Sequence, residues 1–472
     1  MRPAALPWVR RLLAGAAIAL IAIAALEPQA FGHLGGGRRL DTQLRSELAE
    51  QGFTGRVEST LTARLGRPVN RALADTGRLL WFDTVTGLNG DNTCGGCHSP
   101  LAGFGDTQSI AIGIDNNGIV GPGRTGPRNM RRAPSVINTA FYPRLMWNSR
   151  FASLSGDPFD NRAGFRFPLP EGLSLSRMPH LLDAQALIPP TERVEVTGFA
   201  FEGDNDAIRA EVVRRITAVP EYRRLFGRVF PDVKRGSPIS IDMFAAAVAE
   251  FELSLTFANA PIDRFARGES NALTSDEKRG AVLFFGSAGC VACHAVSGES
   301  NEMFSDFREH VLAVPQVVPR ITNVTFAGAG VNEDFGREDV TGDPADRYAF
   351  RSSPLRNVAL QPAFMHDGAF TTLEAAIVHH LDVGGSVRAY DPVRAGLDGD
   401  LMGPIGPVEP LLQRVDPLLE TPLQLSSREL RELVAFVRDG LLDPGARPER
   451  LRGLIPERVP SGAPALVFQS HR

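Results

Sequence analysis

Two copies of the pattern CxxCH carry the clearest chemistry in this sequence: CGGCH at 94–98 and CVACH at 290–294. They contain all four cysteines of the chain, Cys94, Cys97, Cys290 and Cys293. Two cysteines at this spacing can bind the two vinyl groups of one porphyrin, and the histidine that follows then lies under the iron as its ligand. The spacing therefore predicts two covalently bound haem c groups, with His98 and His294 as iron ligands.

Disulfide bonds and zinc are the competing uses of these cysteines. Disulfides within each CxxC pair would suit an exported protein, but they would close very small loops and leave the histidine after each pair without a role. A zinc site needs a fourth ligand near each motif, and the chain has no cysteine outside the two motifs. Haem attachment therefore explains the pattern better than either alternative.

The N-terminal segment predicts export. Arg10 and Arg11 precede an apolar run at 12–26. A basic start followed by an apolar stretch of this length is typical of a secretory signal peptide, and it is short for a membrane span of about 20 residues. We therefore expect a periplasmic protein whose residues 1–40 are a signal peptide and linker, with an uncleaved inner-membrane anchor as the alternative.

The composition is that of a folded protein without a bias toward nucleic acid. The chain has 472 residues, of which 43% are hydrophobic and 22% charged, and this length suits two or three domains. Its 50 basic and 54 acidic residues give a net charge of −4. Such a balance provides no basic field for DNA or RNA, so a nucleic-acid partner is not expected.

A weak internal repeat accompanies the two motifs. GRLLWFD at 77–83 and GAVLFFG at 280–286 precede them, while FGD at 104–106 and FSD at 304–306 follow them. Each motif also has a domain's length of chain to itself. The repeat therefore predicts two related domains, in each of which a helix leads into a haem-binding loop.

The expected architecture is mainly α, with two cytochrome c-like haem domains and long irregular loops. We expect the first domain at residues 41–265 and the second at residues 266–445. Capping-box patterns at Thr274 and Ser426 predict helices before the second motif and over residues 428–442. Residues 446–472, rich in proline, glycine and arginine, are expected to form a loose tail.

The chain resembles the bacterial dihaem cytochrome c peroxidases and the related MauG-like proteins over residues 71–444. Besides both CxxCH motifs, the matching segments are RRAPSVINTAFYPRLMWNSR at 131–150, DAQALIPPTERVEVTG at 183–198 and RSSPLRNVALQPAFMHDGAFTTLEAAIVHH at 351–380. The resemblance implies one haem that receives electrons and one that reduces hydrogen peroxide. The implied electron donor is a small c-type cytochrome or a cupredoxin, and family members are often homodimers.

The resemblance assigns peroxide reduction to the haem at Cys94 and Cys97. Family members that need reductive activation carry a histidine after Ile-Gly in the following loop, where it closes the iron. Here Ile114 stands at that place. An isoleucine cannot bind iron, so we expect the first haem to keep an open coordination position. His180 is the alternative sixth ligand.

Peroxide reduction needs a base that takes a proton from one oxygen and returns it to the other. The resemblance places this carboxylate ten residues after a glutamine. Glu195 is therefore the expected acid/base, and Gln185 is expected to orient the peroxide. Glu192, seven residues after Gln185, is the nearest alternative.

The resemblance places the sixth ligand of the second haem at His380, where family members carry methionine or, in the MauG type, tyrosine. A helix that begins with a capping box at Thr371 would turn this histidine inward. It shares its face with an apolar stripe, Leu373, Ala376 and Ile377. His379 and Met365 are the alternatives. An iron with two histidines normally has a lower potential than one with histidine and methionine, which departs from the usual high-potential role.

Two further features follow from the resemblance. Trp147 matches a tryptophan that family members hold between the haems, where it can relay electrons, and a buried core tryptophan is the alternative. Family members also bind calcium between the domains through an asparagine and backbone carbonyls. Arg132 occupies the place of that asparagine, with Asn129 nearby, and Ser352 and Pro354 would supply the carbonyls.

Three functions are consistent with these features. The leading one is a periplasmic peroxidase that reduces hydrogen peroxide to water with electrons from a small redox protein. The second is a MauG-like oxidase of a protein or organic substrate, against which the absence of a tyrosine at position 380 counts. The third is a dihaem electron carrier without catalytic activity.

Overall fold

The computed structural model describes residues 37–167 and 173–470, and helices dominate these residues. The helices of the N-terminal half are α1 (37–50), α2 (Val57–Leu65), α3 (Arg71–Phe82), α4 (Cys94–Cys97), α5 (Leu181–Gln185), α6 (Asn205–Ala218), α7 (Pro220–Gly227), α8 (Pro231–Lys234), α9 (Ile241–Ser254) and α10 (Pro261–Ala266). The helices of the C-terminal half are α11 (Ser275–Phe285), α12 (Glu338–Thr341), α13 (Leu373–Leu381), α14 (Val383–Arg388), α15 (Glu409–Leu412), α16 (Ser427–Ala435) and α17 (Pro448–Leu451). Long irregular loops connect them, as the Gly- and Pro-rich sequence between the helices predicts.

The strands of the described residues are only two or three residues long. They are β1 (Ile119–Val120), β2 (Arg144–Leu145), β3 (Phe151–Ser153), β4 (Phe165–Arg166), β5 (Glu309–His310), β6 (Phe350–Arg351) and β7 (Val467–Phe468). β2, β3 and β4 form an antiparallel meander, β5 pairs antiparallel with β6, and β1 pairs parallel with β7. Ribbons this short cannot build a core, so the helices and loops carry the packing.

α3 and α9 cross closely in the first hydrophobic core. Gly77 in α3 lies against the carbonyl oxygen of Ala247 in α9, so close that a methyl group at Gly77 would overlap it. Leu80, Trp81 and Phe251 are buried in the same core. A residue without a Cβ permits this approach of two backbones. The glycine that begins the first repeat segment is therefore a helix-packing residue.

α11 and α16 repeat this crossing in the second core. Gly280 in α11 lies against the carbonyl oxygen of Glu432 in α16, and a methyl group there would again overlap it. Phe284 packs on Phe436 with ring centroids 5.4 Å apart, and the corresponding rings of the first core are 5.5 Å apart. The repeat in the sequence thus corresponds to a repeated pair of packed helices.

The capping boxes predicted at Thr274 and Ser426 are both formed. Thr274 caps α11 and Ser426 caps α16, and each hydroxyl accepts a hydrogen bond from the backbone N–H three residues later. The helix predicted over residues 428–442 is divided, because α16 ends at Ala435 and a π-helical turn, Phe436–Gly440, follows it.

α1 packs on the second core rather than on the first. Its Leu44 and Leu48 are buried in one cluster with Phe284. Asp41 in α1 also forms an ion pair of 2.6 Å with Lys278 in α11. The expected first domain at residues 41–265 therefore includes a helix that belongs by its packing to the second core. A contact between segments so far apart in the chain leaves no local sequence pattern.

The described part of the C-terminal segment is packed, so the expectation of a loose tail is wrong for it. β7 pairs with β1, and the ring of Phe468 packs edge-on against Phe82 with centroids 5.6 Å apart. The buried carboxylate of Asp83 accepts hydrogen bonds from the backbone N–H and the hydroxyl of Ser461 at 3.0 and 2.6 Å. Buried polar and aromatic partners on the first core thus hold this segment in place.

The predicted export segment falls at the start of the chain. The apolar run at 12–26 lies outside the described residues. Within residues 37–167 and 173–470, no helix has the length and hydrophobicity that a membrane crossing requires.

Gly77→Ala is expected to destabilise the fold by about 1–3 kcal/mol, because the added methyl group forces α3 away from α9. The free energy of unfolding from urea denaturation measures this effect. Gly399→Ala is the matched control, since no other atom lies near that position, and its effect should stay within about 0.5 kcal/mol. Equal stabilities of the two variants would contradict the close helix crossing.

Candidate functional site

Side chains around the first CxxCH motif hold it against α3. The hydroxyl of Thr93 donates a hydrogen bond to the carbonyl of Trp81 at 2.9 Å, and the motif follows directly as α4. Gly96 has no room for a side chain, because a methyl group there would overlap the amide of Asn92. The glycines of CGGCH therefore let the motif lie close to the core.

Hydrogen bonds orient His98 and leave one of its ring nitrogens free. Its Nδ1–H donates to the carbonyl oxygens of Pro134 at 3.0 Å and Phe104 at 3.3 Å. Burial lowers the pKa of His98 to about 4, so the ring is neutral at pH 7. Histidines that bind metals commonly donate their second N–H in this way. His98 is therefore prepared to bind a metal through Nε2.

His294 in the second motif has the same arrangement. Its Nδ1–H donates to the carbonyl of Phe304 at 3.0 Å, and burial, with a smaller contribution from His380, lowers its pKa to about 4. Phe304 and Phe104 are the phenylalanines of FSD and FGD, and their φ angles are 58° and 54°. The tripeptide after each motif thus supplies the carbonyl that orients the histidine.

An aromatic ring from each repeat segment lies beside the histidine. The ring centroids of Trp81 and His98 are 5.7 Å apart, and those of Phe284 and His294 are 6.4 Å apart. Both aromatic residues stand four positions after the glycine of their repeat. The two sites therefore share one construction.

A cavity borders each motif. The first has a volume of about 780 Å³ and is lined by Cys94, Cys97 and His98. The second has a volume of about 510 Å³ and is lined by Cys290, Cys293 and His294. Both volumes fall in the range of sites for cofactors and small ligands, roughly 300–1,000 Å³. All four cysteines are unpaired, and the described residues contain no cluster of three or more His, Cys, Asp or Glu that could hold zinc. The groups in each cavity therefore fit a c-type haem.

The second cavity contains another histidine opposite the first. Nδ1–H of His380 donates to the carbonyl of Ala376 at 2.8 Å, which leaves Nε2 free. The ring centroids of His294 and His380 are 6.2 Å apart. Two imidazoles that bind one metal from opposite sides, each at about 2 Å, have their centroids roughly 6 Å apart. The spacing fits an iron held by two histidines.

The two alternatives to His380 differ in position. Both ring nitrogens of His379 are used, by the Ser386 hydroxyl at 3.0 Å and the Leu312 carbonyl at 2.8 Å, and the ring does not line the cavity. Met365 does line the second cavity. Its thioether therefore remains the alternative that lies within reach of this site.

The helix that carries His380 begins one residue later than the sequence suggests. Thr372 caps α13 by accepting a hydrogen bond from the N–H of Ala375 at 3.1 Å. Thr371 instead donates to the carbonyl of Ala395 at 2.5 Å, so the predicted cap at Thr371 is wrong. The predicted apolar stripe nevertheless lines the second cavity, namely Leu373, Ala376 and Ile377.

Glu195 lies at the first cavity, on a π-helical turn, Arg193–Thr197. Asn92, two residues before the motif, donates to its backbone carbonyl at 2.8 Å and fixes the turn beside the motif. The carboxylate has no hydrogen bond or ion pair with the described residues. Burial, with repulsion from Glu192, raises the pKa of Glu195 to about 8. Such a group can accept and return a proton near neutral pH.

Gln185 and Glu192, the other residues predicted for proton transfer and peroxide orientation, differ in position. Gln185 ends α5 and lines the first cavity together with Glu195. Glu192 lines neither cavity and forms an ion pair of 2.6 Å with Arg150. The structure thus brings Gln185 and Glu195 together and leaves Glu192 outside.

Neither Ile114 nor His180 borders the first cavity. The backbone N–H of Ile114 donates to the carbonyl of Val194 at 3.2 Å, and its side chain is buried. His180 uses both ring nitrogens, one with the carbonyl of Ala140 at 3.0 Å and one with the N–H of Leu182 at 3.1 Å. His180 therefore has no free nitrogen to offer as a sixth ligand.

Sequence reasoning missed three side chains of the first cavity. Met130 and Met146 line it and offer thioether groups. Glu252 in α9 also lines it, and burial raises the pKa of Glu252 to about 8 while its Oε2 has no partner. The signal in the sequence was the pair of glutamates that interrupts the apolar helix segment AVAEFELS at 247–254.

Trp147 lies between the two cavities and lines both. Its Nε1–H donates to the carbonyl of Arg132 at 2.9 Å, and its own carbonyl accepts from the N–H of Arg351 at 2.6 Å. One segment therefore orients the indole and another holds the backbone of Trp147, at the position where the two sites meet.

The residues considered for calcium lie around Trp147 but do not fit this ion. Calcium takes six to eight oxygen ligands. The Arg132 guanidinium lines both cavities and repels a cation. The carbonyl of Ser352 already accepts hydrogen bonds from the Ser305 hydroxyl at 2.7 Å and from Nη1 of Arg351 at 3.4 Å, which together use both of its lone pairs. Asn129 alone among the side chains considered offers a buried oxygen without a partner in the described residues.

Comparisons with known sequences identify one matching family model and a set of relatives. A family model described as di-haem cytochrome c peroxidase matches residues 71–271, a span that includes the first motif. The methylamine utilization protein MauG of Methylorubrum extorquens is 28% identical over 372 residues, which cover 78% of this chain and 78% of that protein. The cytochrome c551 peroxidase of Nitrosomonas europaea is 28% identical over 342 residues, covering 72% of this chain and 81% of that protein.

Two solved structures resemble the fold. The crystal structure of a MauG-like protein associated with microbial copper homeostasis has a TM-score of 0.55 and 25% identity, and the match covers 80% of this chain and 91% of that one. The diheme peroxidase BthA of Burkholderia thailandensis has a TM-score of 0.52 and 22% identity, covering 84% and 90%. The second likeness supports the fold alone.

Proposed function

Because this chain belongs to the dihaem cytochrome c peroxidase and MauG-like family, we propose that it reduces hydrogen peroxide to water with electrons from a small c-type cytochrome or cupredoxin. The proposed location is the periplasm, on the basis of the N-terminal export pattern. The observation that carries the proposal is the free carboxylate of Glu195 in the same cavity as His98. A proton-accepting group and a metal-binding histidine in one cavity are what this reaction requires.

Proton transfer is the task of Glu195 in this proposal. A haem bound at His98 supplies the reductive cleavage of the oxygen–oxygen bond. One peroxide, two electrons and two protons give two waters. Glu195 takes the proton of the near oxygen and returns it to the far oxygen, so that water leaves. Its pKa, raised to about 8, suits both steps near neutral pH.

Orientation of the peroxide is the task of Gln185. Its side chain reaches the first cavity from the end of α5, beside the turn that carries Glu195. A neutral amide can donate a hydrogen bond to one oxygen and accept one from a peroxide O–H, and it does not exchange protons itself. This division of labour leaves Glu195 as the proton carrier.

Electron delivery is the task of the second site. His294 and His380 face each other across the second cavity at a spacing that suits two ligands of one iron. A site closed in this way has no position for peroxide and is suited to receive electrons. Trp147, which lines both cavities, provides an aromatic side chain between the two sites.

Steady-state turnover tests the proposed function. We expect the haem-loaded protein to oxidise two equivalents of a reduced small cytochrome c or cupredoxin per hydrogen peroxide, with kcat within about 1–10³ s⁻¹. Loaded protein that accepts electrons but consumes no peroxide would instead support a dihaem electron carrier.

A MauG-like oxidase is the second candidate function. Relatives named MauG and the position of Trp147 between the cavities favour it, because oxidation of a large substrate needs long-range electron transfer. His380 at the place of a tyrosine counts against a close copy. Peroxide consumption without an added donor, coupled to oxidation of a protein substrate, would favour this function.

A further inference from the structure

Two arginine side chains are buried between the cavities. Arg132 is 3% exposed and Arg351 is 4% exposed, and each lines both cavities. Within residues 37–167 and 173–470, neither has an ion-pair partner. Both stand beside Trp147, one through its indole N–H and one through its carbonyl. Two positive charges therefore lie where the two proposed haem sites meet.

Neutral acceptors use only part of the hydrogen-bonding capacity of these two arginines. Nη2 of Arg132 donates to the carbonyl of Asp106 at 3.2 Å and to the amide oxygen of Gln361 at 3.1 Å, while its Nε has no partner in the described residues. Arg351 donates to the carbonyls of Met146 at 3.0 Å and Ser352 at 3.4 Å. None of these acceptors carries a charge.

Other buried arginines of the chain are compensated. Arg356 pairs with Asp263, and both side chains are fully buried. Arg128 pairs with Asp398 and Asp400. Arg124 has no ion pair in the described residues, but all three of its nitrogens donate, to backbone carbonyls and to an asparagine. Arg132 and Arg351 differ from these three because each faces the cavities with a guanidinium charge that no carboxylate balances.

Burying a charge without a partner raises the free energy of the folded protein. We therefore expect an anion to lie beside these two arginines. Each haem carries two propionate carboxylates, and a guanidinium binds a carboxylate through two parallel hydrogen bonds. We propose that Arg132 and Arg351 bind propionates of the two haems and form a fixed cationic bridge between the sites. This inference rests on the proposed attachment of a haem at each motif.

The bridge replaces a calcium ion. The guanidinium of Arg132 already supplies positive charge at the place where the resemblance suggested calcium, and it is joined covalently to the protein. The protein therefore needs no calcium to neutralise its propionates. The fixed charge also favours the reduced, less positive state of a nearby haem iron.

Midpoint potentials and calcium content test this proposal in the haem-loaded full chain. In Arg132→Gln, the equilibrium constant for one-electron reduction of one haem should be at least tenfold smaller than in the wild type. This corresponds to a midpoint potential lower by about 59 mV, which spectroelectrochemical titration measures. Arg132→Lys keeps the charge and should change the constant less than threefold. Arg128→Gln is the matched control, because Arg128 is equally buried but lines neither cavity, and its potentials should equal those of the wild type.

Elemental analysis of the wild-type protein gives an independent result that requires no variant to fold. We expect less than 0.1 calcium per chain after dialysis and unchanged potentials after chelation. Stoichiometric calcium whose removal shifts the potentials would overturn the bridge, as would wild-type potentials in Arg132→Gln. A haem assay on every sample separates the two proposals: two covalent haems with unshifted potentials overturn the bridge alone, whereas a chain without covalent haem overturns the proposed function.

Discussion

Glu195→Gln is expected to lower kcat for peroxide reduction roughly 10²–10⁴-fold. Glutamine keeps the size of the side chain but cannot accept the proton that Glu195 takes from peroxide. The absorption spectrum of the haem-loaded protein should stay close to that of the wild type, because Glu195 is not expected to bind iron. The measurement is steady-state oxidation of a reduced donor at saturating peroxide.

Two matched variants decide whether Glu195 is the acid/base. At a pH above the pKa of Glu195, Glu192→Gln should change kcat less than threefold, since Glu192 pairs with Arg150 outside the cavity. Glu252→Gln tests the other buried carboxylate of the first cavity. Loss of turnover in Glu252→Gln together with normal turnover in Glu195→Gln would transfer the assignment to Glu252.

The pH profile adds a signature that a structural role would not produce. Burial and the charge of Glu192 raise the pKa of Glu195 from 4.5 to about 8. The base form exists above this pKa, so kcat/KM should rise with pH through it and fall at lower pH. Glu192→Gln removes a repulsive charge and should shift the rise to lower pH. Glu195→Gln should remove this limb of the profile.

His380→Ala is expected to convert the second haem from low spin to high spin. His380 provides the free Nε2 opposite His294, and its loss leaves the iron with one strong protein ligand. The electron paramagnetic resonance spectrum of the oxidised protein should then lose its low-spin ferric signal completely. The rate of turnover with the reduced donor should also fall, because the loss of one iron ligand changes the site that receives electrons.

The neighbouring residues provide the controls for His380. His379→Ala removes two buried hydrogen bonds and should cost about 1–3 kcal/mol of stability with an unchanged spin state. Met365→Leu removes the thioether that lines the second cavity. A low-spin signal that survives in His380→Ala and disappears in Met365→Leu would make methionine the ligand.

Local sequence signals predicted the parts of the fold that depend on neighbours along the chain. Capping boxes predicted where α11 and α16 begin, because the cap and its partner are three residues apart. Helical spacing predicted that Ile377 and His380 share one face, and both line the second cavity. The short repeats around the motifs predicted two related units. Spacing rules of this kind need no knowledge of tertiary contacts.

Local sequence patterns did not predict the contacts between segments that are distant in the chain. α1 lies against the second core, and β7 pairs with β1, through pairings that no local pattern encodes. Arg132 and Arg351 meet at Trp147 only when the two halves of the chain are packed. The same holds for Glu252 in α9, which lines the first cavity together with Cys94 and His98. Propensity and spacing do not report such contacts.

The electron paramagnetic resonance spectrum of the oxidised wild-type protein tests the central claim most directly, namely that two identical motifs form unequal sites. The first site has an unused proton-accepting carboxylate in its cavity, and the second has a histidine opposite His294. We expect one high-spin and one low-spin ferric haem in equal amounts. Two low-spin haems would contradict the open first site and point to Met130 or Met146 as a ligand, and two high-spin haems would contradict ligation by His380.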